Sequence, residues 1–419
     1  MESYRKTILD NGVRLVSERL PQAFSVTVGL WLDVGSRDEE PALSGASHFI
    51  EHMAFKGTER RSPLDIAREI DRLGGQANAF TTKENTCYHA RALSRRLAEL
   101  CDLLTDLLLR PTFDPAEMER ERQVILQEIS LQEDTPDELV HVLFSRNFWP
   151  EHPLGRPVLG TPQTVRALDR SAILDYLRRN YRPQGLIVAV VGDVDHDRLV
   201  ELAAGPLGSL PPAEQRPPRR PPTPAAGLHV VPRDLEQVHL LLGQPAPSAV
   251  DPERFTAALL NLILGGGMSS RLFQEVRERR GLAYSVYSFL NTYSDSGLLG
   301  TYLAVAPSRA REALKVVRAE LARLAAEPVS ETELAHAKEN LTGSILLAAE
   351  NPEQRMARLA RNELHFGRYV PLEEVAEKVE AVTSAEVSAL AARLLAPHTL
   401  SVTALGPAEL DELAAEMAA

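Results

Sequence analysis

Two histidines and a glutamate within five residues, His48-Phe49-Ile50-Glu51-His52, are the part of this sequence best suited to chemistry. With 11 histidines in 419 residues, and every Asp and Glu allowed as the acid, a random chain would contain the pattern at most about 0.04 times. On a helix, His48 and His52 are four residues apart and share a face, so both imidazoles can reach one metal ion at roughly 2.0–2.1 Å. Glu51, three residues after His48 and one before His52, is angled to hold a water rather than to join the ligands. The plain alternative is a solvated helix face that happens to carry these groups. Phe49, Ile50, Met53 and Phe55 leave little polar surface for such a face.

A catalytic zinc takes three protein ligands and keeps one position open, so a third ligand must come from elsewhere in the chain. Cys87 and Cys101, the two cysteines, are too few for a thiolate cluster or a disulfide framework and read as buried packing residues. His89, next to Tyr88 on an expected strand, reads as a satisfied or exposed histidine. The helix expected over 115–132 offers Glu121 and Glu128, seven residues apart and on one face. Each lies three or four residues from Val124 and Ile125, along the apolar stripe, where a carboxylate is costly unless it is paired or metal-bound. The alternatives are the solvated edge of that stripe, or bridges to arginines such as Arg120 and Arg122. Spacing alone does not separate Glu121 from Glu128.

These residues need a scaffold, and composition bounds it. At 44% hydrophobic and 25% charged, 419 residues suit a globular protein of two or three domains and exclude disordered and fibrous classes. The net charge is 46 − 58 = −12, which argues against nucleic acid and anionic membrane surfaces as partners. The chain starts without an apolar leader and contains no apolar run of 18 residues, so a cytoplasmic protein with no membrane partner is expected.

The first half reads as a hairpin around Asn11-Gly12, strands over 25–34, 78–82, 86–90 and 186–191, and helices over 44–55, 93–109 and 115–132. A further helix starts with Ser62 as N-cap and Pro63 at its first position and ends at Gly74. The second half repeats the order, with strands near 228–231, 238–242, 283–289 and 300–305 and helices over 252–264 and 271–279, then several more. The run Gly265-Gly266-Gly267 lacks the G-x-x-x-x-G-K-[ST] pattern of a phosphate loop and reads as a tight connection between helices. Eight of the 29 prolines fall in 206–224, a semi-rigid linker in which Arg216, Arg219 and Arg220 read as solvated. The expected fold class is α+β: two tandem copies of a domain with helices packed on a mostly antiparallel sheet. Residues 1–205 carry the metal motif, 206–226 the linker, and 227–419 a second copy without the motif.

The run His48-Phe49-Ile50-Glu51-His52-Met53-Ala54-Phe55-Lys56-Gly57-Thr58, followed by Glu121-Arg122-Gln123-Val124-Ile125-Leu126-Gln127-Glu128-Ile129, resembles the pitrilysin/insulinase metallopeptidases, whose His-x-x-Glu-His is the inverted zincin order. The likeness is greatest to the catalytic β-subunit of mitochondrial processing peptidase and its short bacterial relatives. The resemblance implies one zinc ion per chain, held by His48, His52 and Glu128, 76 residues beyond His52, with Glu121 supporting a ligand and Glu51 acting as the base. Gly74-Gly75-Gln76-Ala77-Asn78-Ala79-Phe80-Thr81 resembles the edge strand on which that family lays its peptide, with Asn78 and Ala79 near the scissile bond and Phe80 beside them. Arg277 and Tyr284 match an Arg/Tyr pair that binds substrate and steadies the tetrahedral intermediate.

Chains of this length in the family are half-clamshells, two of which enclose a chamber for unfolded peptides. The implied function is a zinc endopeptidase, as a homodimer or with a homologous subunit, and the net charge suggests basic, presequence-like substrates. A scaffold subunit, or a hydrolase of small amides or esters on the same ligands, are the other readings. The intact set His48, Glu51, His52 and Glu128 argues against a scaffold.

Overall fold

The structure, a computed structural model, describes residues 3–211 and 218–418, so 212–217 of the expected linker lie outside the described residues. β1 (Tyr4–Ile8) pairs antiparallel with β2 (Arg14–Arg19), and Gly12 turns the chain between them at φ +93°, a left-handed conformation open to glycine. β3 (Ser25–Leu32), β4 (Gln76–Thr81), β5 (Thr86–Leu93) and β6 (Leu186–Gly192) complete a six-stranded sheet in the order β1-β2-β6-β3-β5-β4. β2 and β6 are parallel and the other pairs antiparallel. Every residue of β6 is buried, which accounts for its unbroken apolar run.

The second sheet comprises β7 (Gly227–Val231), β8 (Val238–Ala246), β9 (Ala283–Thr292), β10 (Gly297–Val305) and β11 (Ser401–Leu405), ordered β7-β11-β8-β10-β9. Here β7 and β11 are the parallel pair. Substituting β7, β11, β8, β10 and β9 for β2, β6, β3, β5 and β4 reproduces the order of the first sheet, parallel pair included. The duplication is therefore a repeat of sheet topology in an α+β fold, with β1 added to the first copy.

The first half contributes helices α1 (Ala46–Ala54), α2 (Pro63–Leu73), α3 (Leu97–Leu109), α4 (Pro115–Glu133), α5 (Pro136–Phe148), α6 (Pro162–Ala167), α7 (Arg170–Asn180) and α8 (His196–Gly208). The second contributes α9 (Arg254–Gly265), α10 (Ala310–Ala326), α11 (Glu331–Ala348), α12 (Pro352–Phe366), α13 (Leu372–Ala381), α14 (Ser384–Leu394) and α15 (Leu410–Ala418). α2 keeps its expected limits because both ends are specified locally: the Ser62 hydroxyl accepts from the Asp65 N–H, Asp65 accepts from the Ser62 N–H, and Gly74 stops the helix at φ +63°. The helix expected over 271–279 is instead a π-helical segment, Phe273–Arg279. None of the helices among the described residues is long and apolar enough to cross a membrane.

Contacts divide the chain into two compact units. One takes the described residues of Met1–Ser130, Arg156–Arg219 and Leu347–Tyr369, the other those of Leu131–Gly155, Arg220–Leu346 and Val370–Ala419. The sheets fall within the spans 1–205 and 227–419, but the units exchange one helix each. α12 covers one face of the first sheet, where Met356, Leu359 and Ala360 bury against Val16, Trp31, Ile187, Ala189 and Val191. α5 does the same for the second, where Leu139, Val140, Phe144 and Phe148 meet Leu241, Leu298, Tyr302 and Leu405. The opposite face of the first sheet carries α1, α3, α7 and α8.

Arg219 corrects the expectation of a solvated linker. Its side chain is only 11% exposed and forms ion pairs with Asp33, Asp38 and Glu84, so the described end of the linker is anchored to the first unit.

Candidate metal centre

α1 carries both histidines and Glu51, and its start is unusual. Gly45, at the N-cap, has φ +95° and no side chain to offer. The Gly45 and Ser47 N–H groups donate instead to the buried Glu39 carboxylate, at 2.8 Å each, so an acid from the preceding loop satisfies the helix end. Burial outweighs those bonds and pushes the Glu39 carboxyl up to about 7. Phe49, Ile50 and Met53 fix the other face of α1 in the core.

Nε2 of His48 and Nε2 of His52 lie 3.7 and 3.5 Å from the same atom, Oε2 of Glu128 in α4. Two ligands at about 2.0–2.1 Å from a tetrahedral ion stand about 3.3 Å apart, so each of these two contacts is within tenths of an ångström of a zinc-sized spacing. The candidate ligand atoms of His48, His52 and Glu128 all lie within 4.8 Å of one another. Two imidazoles and one carboxylate are a donor set that suits zinc and leaves a position open.

Glu121 does not enter this cluster. Its Oε2 meets His52 Nδ1 at 3.0 Å and its Oε1 meets Lys56 Nζ at 2.8 Å. The two carboxylates that spacing left equivalent thus have distinct places: Glu128 faces the imidazoles, and Glu121 stands behind one of them. With Nδ1–H donating to Glu121, His52 presents its Nε2 lone pair toward Glu128. Nδ1 of His48 is buried and has no such acceptor among the described residues. Burial, and then the neighbouring His52, push the His48 pKa down to about 4, so its ring is neutral at pH 7, the form that binds metal.

Glu51 is held from the sheet, not from its own helix: the Thr81 hydroxyl donates to Glu51 Oε2 at 2.6 Å. Burial raises the Glu51 carboxyl above the ordinary range, against the pull of Thr81 and His52 and with a further push from Glu128. A carboxylate raised in this way is a better base near neutral pH.

Asn78, Ala79 and Phe80 lie on β4, which among the described residues has a partner strand on one side only. Alternation sends Ala79 into the core beneath α1 and Asn78 and Phe80 to the opposite face, where Phe80 meets Trp31 edge-on at 5.4 Å. His89 is paired with Asn78 across the ladder and lies outside the candidate ligand set. Cys87 and Cys101 are both buried free thiols.

Arg277 and Tyr284 belong to the second unit, and the structure brings them together. The Arg277 guanidinium lies 4.5 Å from the Tyr284 ring centroid and 4.8 Å from that of Phe273, and it donates to the Tyr284 carbonyl at 3.1 Å. Tyr284 is 82% exposed despite its size. Sequence reasoning missed Thr81, Lys56 and Glu39. Lys56 and Thr81 lay within runs already singled out, but pairings across 65 and 30 residues leave no local signal.

Residues 14–162 match the family model described as insulinase (peptidase family M16), and residues 167–341 match the one described as peptidase M16 inactive domain. An uncharacterized zinc protease of Streptomyces coelicolor is 42% identical over 411 residues, covering 96% of this chain and 89% of that protein. The chain belongs to the insulinase family, peptidase family M16. A second relative, the uncharacterized zinc protease YmxG of Bacillus subtilis, is 37% identical over 384 residues, 92% of this chain and 94% of that protein. The M16 fold is also that of two solved structures with TM-scores of 0.90. One, from Pseudomonas fluorescens, is described as a peptidase M16 inactive domain and is 21% identical, covering 96% of this chain and 98% of that one. The other, a protease from Helicobacter pylori, is 22% identical, covering 97% and 100%. In this M16 chain, the part matched as the inactive domain contains no His-x-x-Glu-His, and the motif falls in the part matched as insulinase.

Proposed function

We propose that this chain is a zinc-dependent endopeptidase acting on unfolded peptides. The reading rests chiefly on the convergence of His48 Nε2 and His52 Nε2 on Glu128 Oε2, at 3.7 and 3.5 Å, beside the carboxylate of Glu51. One zinc ion per chain, held by these three residues, would polarise a peptide carbonyl and lower the pKa of water toward about 7. Glu51 takes a proton from the attacking water and passes it to the leaving amine nitrogen. Glu121, paired with Lys56, keeps the His52 ring oriented. The free edge of β4 receives an extended peptide by main-chain hydrogen bonds alongside Asn78, Ala79 and Phe80, a mode that favours unfolded chains. Arg277 and Tyr284 are assigned to substrate binding, the Tyr284 hydroxyl answering charge that develops on the carbonyl oxygen. A dimer, homomeric in the simplest case, would form the chamber, and the net charge of −12 favours basic peptides.

Metal content per chain and cleavage of a quenched basic peptide test this together. Wild type should hold one zinc and cleave; Glu128→Gln should lose both; Glu51→Gln should keep zinc and lose about 10²–10⁴ in turnover. Wild-type turnover by metal-replete Glu51→Gln removes Glu51 as base, and a wild type that takes up no zinc removes the whole reading. Sedimentation of the 46.1 kDa chain decides between monomer and dimer.

A further inference from the structure

The hydrogen bond between Thr81 and Glu51 joins two parts of the fold that the proposed reaction uses separately. Glu51 lies on α1, next to the ligand His52. Thr81 is the last residue of β4, whose free edge is the proposed seat of the peptide. Along β4, Ala77, Ala79 and Thr81 share the face toward α1, so the strand's alternation delivers the Thr81 hydroxyl to that helix. There it donates to Glu51 Oε2 at 2.6 Å. Thr81 is itself fixed by its pairing with Thr86 at the end of the β4–β5 ladder, and its branched side chain restricts the direction of the hydroxyl. Among the described residues no other hydrogen bond to the Glu51 carboxylate is made, which leaves Oε1 for a water. A neutral donor orients the carboxylate without adding a positive charge beside it.

We propose that Thr81 is a positioning residue for Glu51, so that the strand seating the peptide and the group activating the water are set in register by one hydroxyl. This rests on Glu51 being the base. Because Thr81 acts through Glu51, its removal should change the rate of the chemical step and leave peptide binding alone. A misplacement of about 1 Å in a reacting group costs on the order of 10²-fold in rate.

The test compares Thr81→Val, which keeps the branched shape and removes the hydroxyl, with Thr81→Ser, which restores a hydroxyl. Thr81→Val should lower kcat about 10- to 100-fold with KM within about twofold of wild type and zinc content unchanged. Thr81→Ser should recover turnover to within about threefold of wild type. Crystal structures of both metal-free variants supply a readout independent of activity: the Glu51 carboxylate should leave its position in Thr81→Val and hold it in Thr81→Ser. The proposal is overturned if Thr81→Val keeps wild-type kcat, if it raises KM with kcat intact, if serine fails to rescue, or if the Glu51 carboxylate stays in place without the hydroxyl. An inactive wild type, or an active Glu51→Gln, would sink the endopeptidase reading instead, and the two metal-free structures would still decide what holds Glu51.

Discussion

What stands behind the two histidines differs, and so do the consequences of altering them. His52 is backed by a chain of charge, Lys56 to Glu121 to Nδ1, whereas His48 relies on burial. Partners of this kind typically change metal affinity 10- to 100-fold when removed, so Lys56→Met should weaken zinc binding by about that factor in a chelator competition without emptying the site at saturating zinc. Unchanged affinity would mean that Glu121 needs no cation to hold His52. Burial of His48 makes a different prediction, about acid. Its pKa of about 4 in the folded chain lies below the value of about 6.5 expected once unfolded, so on acidification the unfolded state takes up the proton first. The metal-free protein therefore has the full contribution of neutral His48 above pH 6.5 and loses on the order of 3 kcal/mol of it as pH falls to 4. Urea unfolding at several pH values should show this slope in the wild type and a shallower one in His48→Asn; equal slopes would mean that the ring is solvated. The histidine pair and Glu51 were legible because five adjacent residues on one helix turn hold the pattern. Glu121 and Glu128 were not separable by spacing, only by the family resemblance, because both sit on the same face of α4 and the placement of α1 against it decides which one faces the imidazoles.

At the scale of elements, the signals that held were those completed within a few residues. The Asn11-Gly12 turn, the Ser62–Asp65 cap and the apolar run of β6 each specify themselves. β11 and α5 to α8 were not among the expected elements, although α6, α7 and α8 carry local N-caps in Thr161, Asp169 and Asp195, and the helix over 271–279 emerged with π turns that its residue pattern does not announce. α1 lies between these cases. Its periodicity was clear, but its start is fixed by the distant Glu39 and by Gly45, where an added Cβ would stand 2.8 Å from the Leu159 carbonyl oxygen at a φ of +95°. Gly45→Ala should therefore cost about 2–4 kcal/mol and loosen the histidine helix, combining backbone strain of about 1–2 kcal/mol with the clash. Gly74→Ala is the matched control, since φ is +63° there but no atom of the described residues lies within 4 Å of an added Cβ. It should cost only about 1 kcal/mol and leave zinc affinity unchanged. If both variants bind zinc equally well, the start of α1 does not set the site.

The whole molecule repeats one topology, yet the repeats are not the units that bury the cores. The linker marks where one sheet ends and the next begins, and periodicity in α12 announces an apolar face without naming the sheet that receives it. That sheet is the first one, more than 150 residues earlier in the chain. Val16, Trp31, Ile187 and Val191 on the sheet, with Met356 and Leu359 from the helix, are six large side chains whose burial at about 1.5–3 kcal/mol each sums to on the order of 10 kcal/mol. A typical domain has a net stability of only about 5–15 kcal/mol, so the first sheet without α12 should not hold its native packing. A fragment of residues 1–211 contains the whole zinc motif and all six strands of that sheet, and it tests the point. It should bind a hydrophobic dye, lack a cooperative urea transition and bind zinc weakly. Co-expression with 218–419, which contains α12, should restore cooperativity and zinc affinity together. If 1–211 alone unfolds cooperatively and binds zinc as the full chain does, the exchanged helix is dispensable and the sequence repeat is also the folding unit.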